Sequence, residues 1–217
     1  DKLAAARRTG ERIVEMVREG LNARQMFTPA AFRNAVRTAM AIGGSTNTAL
    51  HLPAIAQSAG VPLGMADFEA AGDVPTLLAV SPNGPYGIQD LWAAGGMPAV
   101  LKQIERFLDT SCMTVTGKPL KATIDAARVV NEKVIPPVEK AFRPTSAITV
   151  LRGNLAPDTA IIKQAGVDSS MLRCKGPAVC FDSEDEALQA IAADRIKPGE
   201  VVILRYLSLL QTAGRVA

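Results

Sequence analysis

The chain has 217 residues, 48% of them hydrophobic, which is enough for one large domain or two small ones with real cores. Its 24 Lys and Arg against 21 Asp and Glu leave a charge of +3, and with 4% aromatics and no basic stripe the composition argues against nucleic-acid binding. No apolar run approaches the ~20 residues of a membrane span, the N-terminal stretch has no signal-peptide core, and three cysteines are too sparse for a disulfide framework, so a cytoplasmic protein is expected.

In chain order, "ERIVEMVREGL" places Ile13, Val14, Val17 and Leu21 at helical spacing. Thr28-Pro29 is a helix start, Thr as N-cap and Pro at the first helical position. The helix that follows carries Phe32, Ala35, Val36 and Met40 on one face and stops at Gly43-Gly44. The next begins at Ser45 or Thr46. "MADFEAAG" and "IQDLWAAGGMPAVLKQIERFL" supply further helices, the second broken near Gly95-Gly96, and "KATIDAARVVNEKV" reads as another amphipathic helix. Between them, "GDVPTLLAVSPNGPYG" is an irregular Pro- and Gly-rich connection. After Pro136-Pro137 the texture changes: "AITVLRGN", "TAIIKQAG", "GPAVCFDS" and "EVVILRY" are short β-branched runs bounded by turn residues, as strands are. One helix interrupts them, capped by Ser183 with acidic residues in its first turn. A helical segment therefore joins a β-rich one near residues 133–146.

The stretch with most chemistry is Gly43–Asn47, "GGSTN". A helix N-terminus leaves backbone N–H groups free and partly positive, glycines admit a close approach to the backbone, and Ser45, Thr46 and Asn47 add adjustable donors. Gly44, Ser45, Thr46 and Asn47 could together hold a carboxylate or phosphate. The same residues could equally make a tight helix–helix turn with Ser45 or Thr46 as its cap. His51, the only histidine, is either a packed, hydrogen-bonded helix residue or a neighbour of a site at that turn. Pro53 removes the hydrogen bond to Ala49 and can kink the helix. Lys118 in "TVTGKPL" lacks the spacing of a phosphate loop, and Asp158 reads as a turn residue.

Five blocks in order, "NAVRTAMAIGGSTNTALHLPAIAQSAGV", "AAGGMPAVLKQI", "CMTVTGKPL", "VLRGNLAPDTAIIKQAGV" and "KGPAVCFDSEDEALQAI" continued by "IKPGEVVILRY", resemble successive blocks of the dihydroxy-acid dehydratase / phosphogluconate dehydratase family. The resemblance runs from Asp1 to about Tyr206. It implies an iron–sulfur hydro-lyase that converts a 2,3-dihydroxy carboxylic acid to a 2-keto acid. In that family the cluster acts as Lewis acid on the leaving 3-hydroxyl, Mg²⁺ holds the carboxylate, and a serine alkoxide takes the C2 proton. It also implies an α/β (α+β) fold: residues 1–133 as the mainly helical end of an N-terminal α/β domain, and residues 134–217 as the first, incomplete part of a β-barrel-like C-terminal domain. A homo-oligomer is implied as well. Dihydroxy-acid dehydratase of branched-chain amino-acid synthesis is the leading member, and a sugar-acid dehydratase (xylonate, arabinate or phosphogluconate) the runner-up.

The departures are equally specific. The family's cluster cysteines, its Mg²⁺ carboxylates and its serine base lie in motifs outside these blocks, so no metal ligand or catalytic residue transfers to a position here. Cys112 stands in a block that the family does not use for ligation, and Cys174 and Cys180 are not spaced as cluster ligands are. The tail after Tyr206, "LSLLQTAGRVA", does not match. The chain is thus expected to be an inactive middle portion of such an enzyme, or a non-catalytic remnant or interaction module. Its β-rich part should be an incomplete barrel with open edges.

Overall fold

In a computed structural model of the chain, residues 2–207 are described. The chain divides into two compact units, with the boundary between Gly166 and Val167. The change of texture near residues 133–146 therefore falls inside the first unit.

The first unit is mostly helical. Its helices are α1 (Lys2–Glu19), α2 (Ala23–Met26), α3 (Pro29–Ala41), α4 (Thr48–Ser58), α5 (Met65–Ala70), α6 (Ile88–Ala93), α7 (Gly96–Gln103) and α8 (Leu120–Ala126). An antiparallel hairpin of β1 (Thr149–Leu151) and β2 (Ala160–Ile162) follows, in the register Thr149–Ile162, Val150–Ile161 and Leu151–Ala160. The "GNLAP" block and Asp158 make the turn between these strands, and Arg152 clamps the hairpin to Glu69 of α5 through three hydrogen bonds of 2.9–3.1 Å. The core gathers Val36 and Met40 of α3, Phe68 of α5, Leu77 and Leu78, Val100, Ile135 and Ile148.

Local chemistry explains several boundaries. Thr28 Oγ1 accepts from Ala31 N at 3.2 Å and Pro29 opens α3, as its sequence requires. Phe32, Val36 and Met40 are buried, Ala35 only half so. Asn34 is buried too. Its amide brackets the backbone of Asp109, donating to the carbonyl at 2.8 Å and accepting from the N–H at 2.9 Å. The break between α6 and α7 falls at Gly95, whose φ is +123°. The helix expected over "KATIDAARVVNEKV" stops at Ala126. There the backbone turns extended and is claimed by other partners: Lys102 Nζ donates to Ala127 O at 2.8 Å and Val130 N to Ala94 O at 2.9 Å. A Cβ on Gly95 would stand 2.3 Å from Arg128 O, so glycine lets this segment lie against the α6–α7 break.

The second unit holds β3 (Ala178–Phe181), α9 (Glu184–Ala192) and β4 (Val201–Leu204) as one β-α-β element, with β3 and β4 paired in parallel. Ser183 Oγ accepts from Glu186 N at 3.2 Å, and Glu184, Asp185 and Glu186 occupy the first turn of α9, where the helix dipole favours acids. Among the described hydrophobic residues of this unit only Ala187 and Ala190 are buried, while Leu188, Ile191, Val201, Val202 and Leu204 are exposed.

The four expected strands all form, and the fold is a mixture of helices and small sheets. The barrel-like character expected of the C-terminal part is not seen: among the described residues the strands make two separate two-stranded sheets and no closed barrel. A barrel needs successive strands to pair around a closed circuit, and here β2 pairs only with β1 and β3 only with β4. Most of the unmatched tail, residues 208–217, lies outside the described residues. No helix among the described residues is long and apolar enough to cross a membrane.

Candidate functional site

The Gly43–Asn47 turn is built from the end of α3. Gly43 takes the left-handed conformation, φ +72°, which a Cβ would oppose. Gly44 N donates to Ala39 O at 2.8 Å and Gly43 N to Met40 O at 3.4 Å, so the last carbonyls of α3 are satisfied in a Schellman pattern. Both glycines are also closely approached. A Cβ on Gly43 would fall 2.2 Å from Asn83 Nδ2, which donates to Gly43 O at 3.0 Å. One on Gly44 would fall 2.9 Å from Ala39 O. The connection that carries Asn83 is thereby pinned to the turn.

Helix α4 starts later than its sequence suggests, at Thr48. The preceding turn is tightened by i→i+3 bonds from Thr48 N to Ser45 O and from Ala49 N to Thr46 O, each 3.0 Å. The residue at the N-cap is Asn47, whose side chain makes no capping bond. Ser45 instead serves the turn, its Oγ accepting from Asn47 N at 3.2 Å. The remaining polar groups are uncommitted: among the described residues the N–H groups of Ser45 and Thr46, the Thr46 hydroxyl and the Asn47 side-chain amide have no hydrogen-bond partner. Ser45 and Asn47 are exposed and Thr46 half-buried. Two amides, a hydroxyl and a carboxamide thus gather at one turn, and they can bind an oxygen-rich anionic ligand.

His51 is not packed as a core histidine would be. It is exposed on α4, lining a shallow groove with Arg24, Phe27 and Ile55, because the buried side of α4 is that of Ala49 and Ala56. The helix runs through Pro53. Lys118 lies in a tight turn whose amides serve the chain itself: Gly117 N donates to Thr114 O at 2.9 Å and Thr114 N to Lys118 O at 3.0 Å.

The three cysteines do not assemble. Cys112 lies in the first unit, half-buried, with Asn34 Nδ2 at 3.6 Å from its sulfur. Burial, and then the nearby Asp109 charge, push its thiol above the usual range. Cys174 and Cys180 lie in the second unit, exposed. Among the described residues no three His, Cys, Asp or Glu side chains converge as a metal site would require. The described residues therefore do not fit an iron–sulfur cluster or a Mg²⁺ ion.

Residues 1–123 match the family described as dihydroxy-acid/6-phosphogluconate dehydratase N-terminal, and residues 133–212 the corresponding C-terminal family. The second match extends to residue 212, so the first residues of the tail after Tyr206 fall within the family after all. The chain is 44% identical over 210 residues to a protein named dihydroxy-acid dehydratase from Methanococcoides burtonii, covering 94% of this chain and 38% of that protein. Proteins of the same name from Thermodesulfovibrio yellowstonii and Acetivibrio thermocellus are 44% and 43% identical, each over 95% of this chain and 38% of their own length. The chain thus spans well under half the length of these relatives.

Proposed function

The chain belongs to the dihydroxy-acid/6-phosphogluconate dehydratase family, and from that membership we propose that it works as part of a hydro-lyase converting a 2,3-dihydroxy carboxylic acid to a 2-keto acid. The relatives are named dihydroxy-acid dehydratase, and within that reaction we take a 2,3-dihydroxyisovalerate-like acid as the leading substrate and a sugar acid as the runner-up. Within this reading, residues 1–133 close the N-terminal domain and residues 134–217 open a β-rich, barrel-like C-terminal domain. The family matches, ending at 123 and beginning at 133, support that division. A homo-oligomer belongs to the same reading.

The observation that carries a role for Gly44, Ser45, Thr46 and Asn47 is the set of uncommitted polar groups at the turn. The Ser45 and Thr46 amides suit a carboxylate oxygen, and the Thr46 hydroxyl and Asn47 amide suit a substrate hydroxyl. These residues bind and orient; none is a candidate proton-transfer group. The iron–sulfur cluster and Mg²⁺ belong to the proposal for the whole enzyme, with ligands from outside the described residues. A second reading, for the 217-residue chain alone, is an inactive segment or remnant.

The test is an anaerobic assay of the full-length gene product containing these residues, beside the 217-residue chain, on 2,3-dihydroxyisovalerate, xylonate, arabinate and phosphogluconate. The proposal expects keto-acid formation from dihydroxyisovalerate by the longer protein only. Preferential turnover of a sugar acid would select the runner-up, and no turnover by either protein would select the remnant.

A further inference from the structure

Helix α1 carries an apolar surface that the core does not use. Of its residues Met16 is buried, and Arg12 ties the helix down, its Nε donating to Val115 O at 3.0 Å. Leu3, Ala6, Gly10, Ile13 and Val17, at alternating spacings of three and four, make one stripe along the helix, widened by Val14, and every one of them is exposed. That spacing is the repeat of a helix that pairs with another helix along a seam. A helix that covers only its own core turns such a stripe inward.

Gly10 sits at the centre of the stripe. Glycine is the poorest helix former after proline, and a Cβ at this position would meet nothing within 4 Å among the described residues. What its missing side chain permits is the close approach of a second backbone. The stripe is also self-complementary about Gly10. Turned end for end, a second α1 sets Leu3 opposite Val17, the small Ala6 opposite Val14, and Gly10 opposite itself. The charges select that direction. Arg7 and Glu11 lie on one flank of the stripe, on either side of Gly10, and both are well exposed. An antiparallel copy brings each Arg7 to the other's Glu11, whereas a parallel copy would bring Lys2 to Arg7, like to like.

We infer that α1 is a self-association surface on which two copies of this chain pair antiparallel across Gly10. Neither the hydro-lyase reading nor the ligand-binding reading of the Gly43–Asn47 turn enters this inference. An 18-residue helix offers a strip about 27 Å long and about 10 Å wide. That is less than the ~800 Å² per partner of a standard interface, so the pairing is weak and reversible.

The test is sedimentation equilibrium of the 217-residue chain across the micromolar range. A reversible monomer–dimer equilibrium is expected. Gly10→Glu should weaken it about tenfold or more, because the charge falls at the centre of the seam. The same variant should leave the Tm of the dilute monomer unchanged or higher, since Glu is the better helix former and its side chain has open space around it. Direction is read by oxidative cross-linking with Cys174 and Cys180 replaced by Ser. Gly10→Cys should give a covalent dimer, and Leu3→Cys should give one only in company with Val17→Cys. A covalent dimer from Leu3→Cys alone would overturn the antiparallel pairing. A monomer at every concentration would overturn the inference altogether. So would a dimer that Gly10→Glu leaves intact, which would put any homo-oligomer on another surface. In the full-length gene product, a fall in Tm on Gly10→Glu at unchanged mass would show that the same polypeptide covers the stripe, and would likewise overturn it.

Discussion

The two compact units differ in what holds them. The first buries Phe68, Met40, Leu77, Leu78, Ile104, Ile124, Ile135 and Ile148 almost completely, whereas the described residues of the second bury two alanines and expose Leu188, Ile191, Val201, Val202 and Leu204. Hydrophobic stabilisation scales with apolar area removed from water, so the first unit can stand on its own core. The β-α-β element relies on backbone pairing and a helix cap, as an element does whose apolar side is completed elsewhere. A good local sequence is enough to specify strands and a capped helix; it does not supply a core.

That contrast can be broken most readily in the first unit. Phe68→Ala, at a site 1% exposed, should cost about 3–5 kcal/mol of unfolding free energy by denaturant titration. Leu188→Ala, at a site 53% exposed on α9, should change stability by less than about 0.5 kcal/mol. Comparable losses would mean that the second unit has a core of its own. Asn34→Ala should cost about 2 kcal/mol, because it leaves the carbonyl and N–H of Asp109 without partners. Gly43→Ala should cost about 1–2 kcal/mol for the left-handed backbone, plus the collision with Asn83. Asn83→Ala in the same chain should recover only the collision. The caps give a smaller and matched comparison: Thr28→Ala and Ser183→Ala should each cost about 1 kcal/mol of local helix stability, read by hydrogen exchange in α3 and α9. In a global melt Ser183→Ala should be the less visible of the two.

Thiol labelling sharpens the contrast further. The thiolate is the reactive form, and a thiol pKa raised by burial means less thiolate at any pH near 8. Cys174 and Cys180 should therefore react with a maleimide well before Cys112, and Asn34→Ala should bring the Cys112 rate towards theirs. Equal rates in the unsubstituted chain would contradict the packing described around Asn34.

What the sequence made legible was local. Thr28-Pro29 and Gly43-Gly44 bound α3 because cap and stop residues act within a turn of themselves, and the four β-branched runs became β1 to β4 for the same reason. What it left obscure depends on distant partners. Asn34 is buried because Asp109 lies across from it, 75 residues away. Helix α8 is short because Ala94 and Lys102 take the backbone that would have continued it. The pairing of Arg143 with Thr76 and the exposure of His51 likewise follow from packing that no periodicity records. In the GGSTN turn the two kinds of information separate. Gly43, Gly44 and the Ser45 hydroxyl serve the backbone of the turn, whereas among the described residues the Thr46 hydroxyl and the Asn47 side-chain amide make no hydrogen bond.

The most direct test of the account is therefore kinetic. In the full-length gene product, Thr46→Val and Asn47→Ala should each raise KM for 2,3-dihydroxyisovalerate about tenfold or more, the loss expected when a ligand group forfeits a hydrogen bond, while Tm stays within about a degree of the unsubstituted protein. Unchanged KM in both variants, or a fall in Tm that accounts for the lost activity, would show that the turn is a helix junction and nothing more.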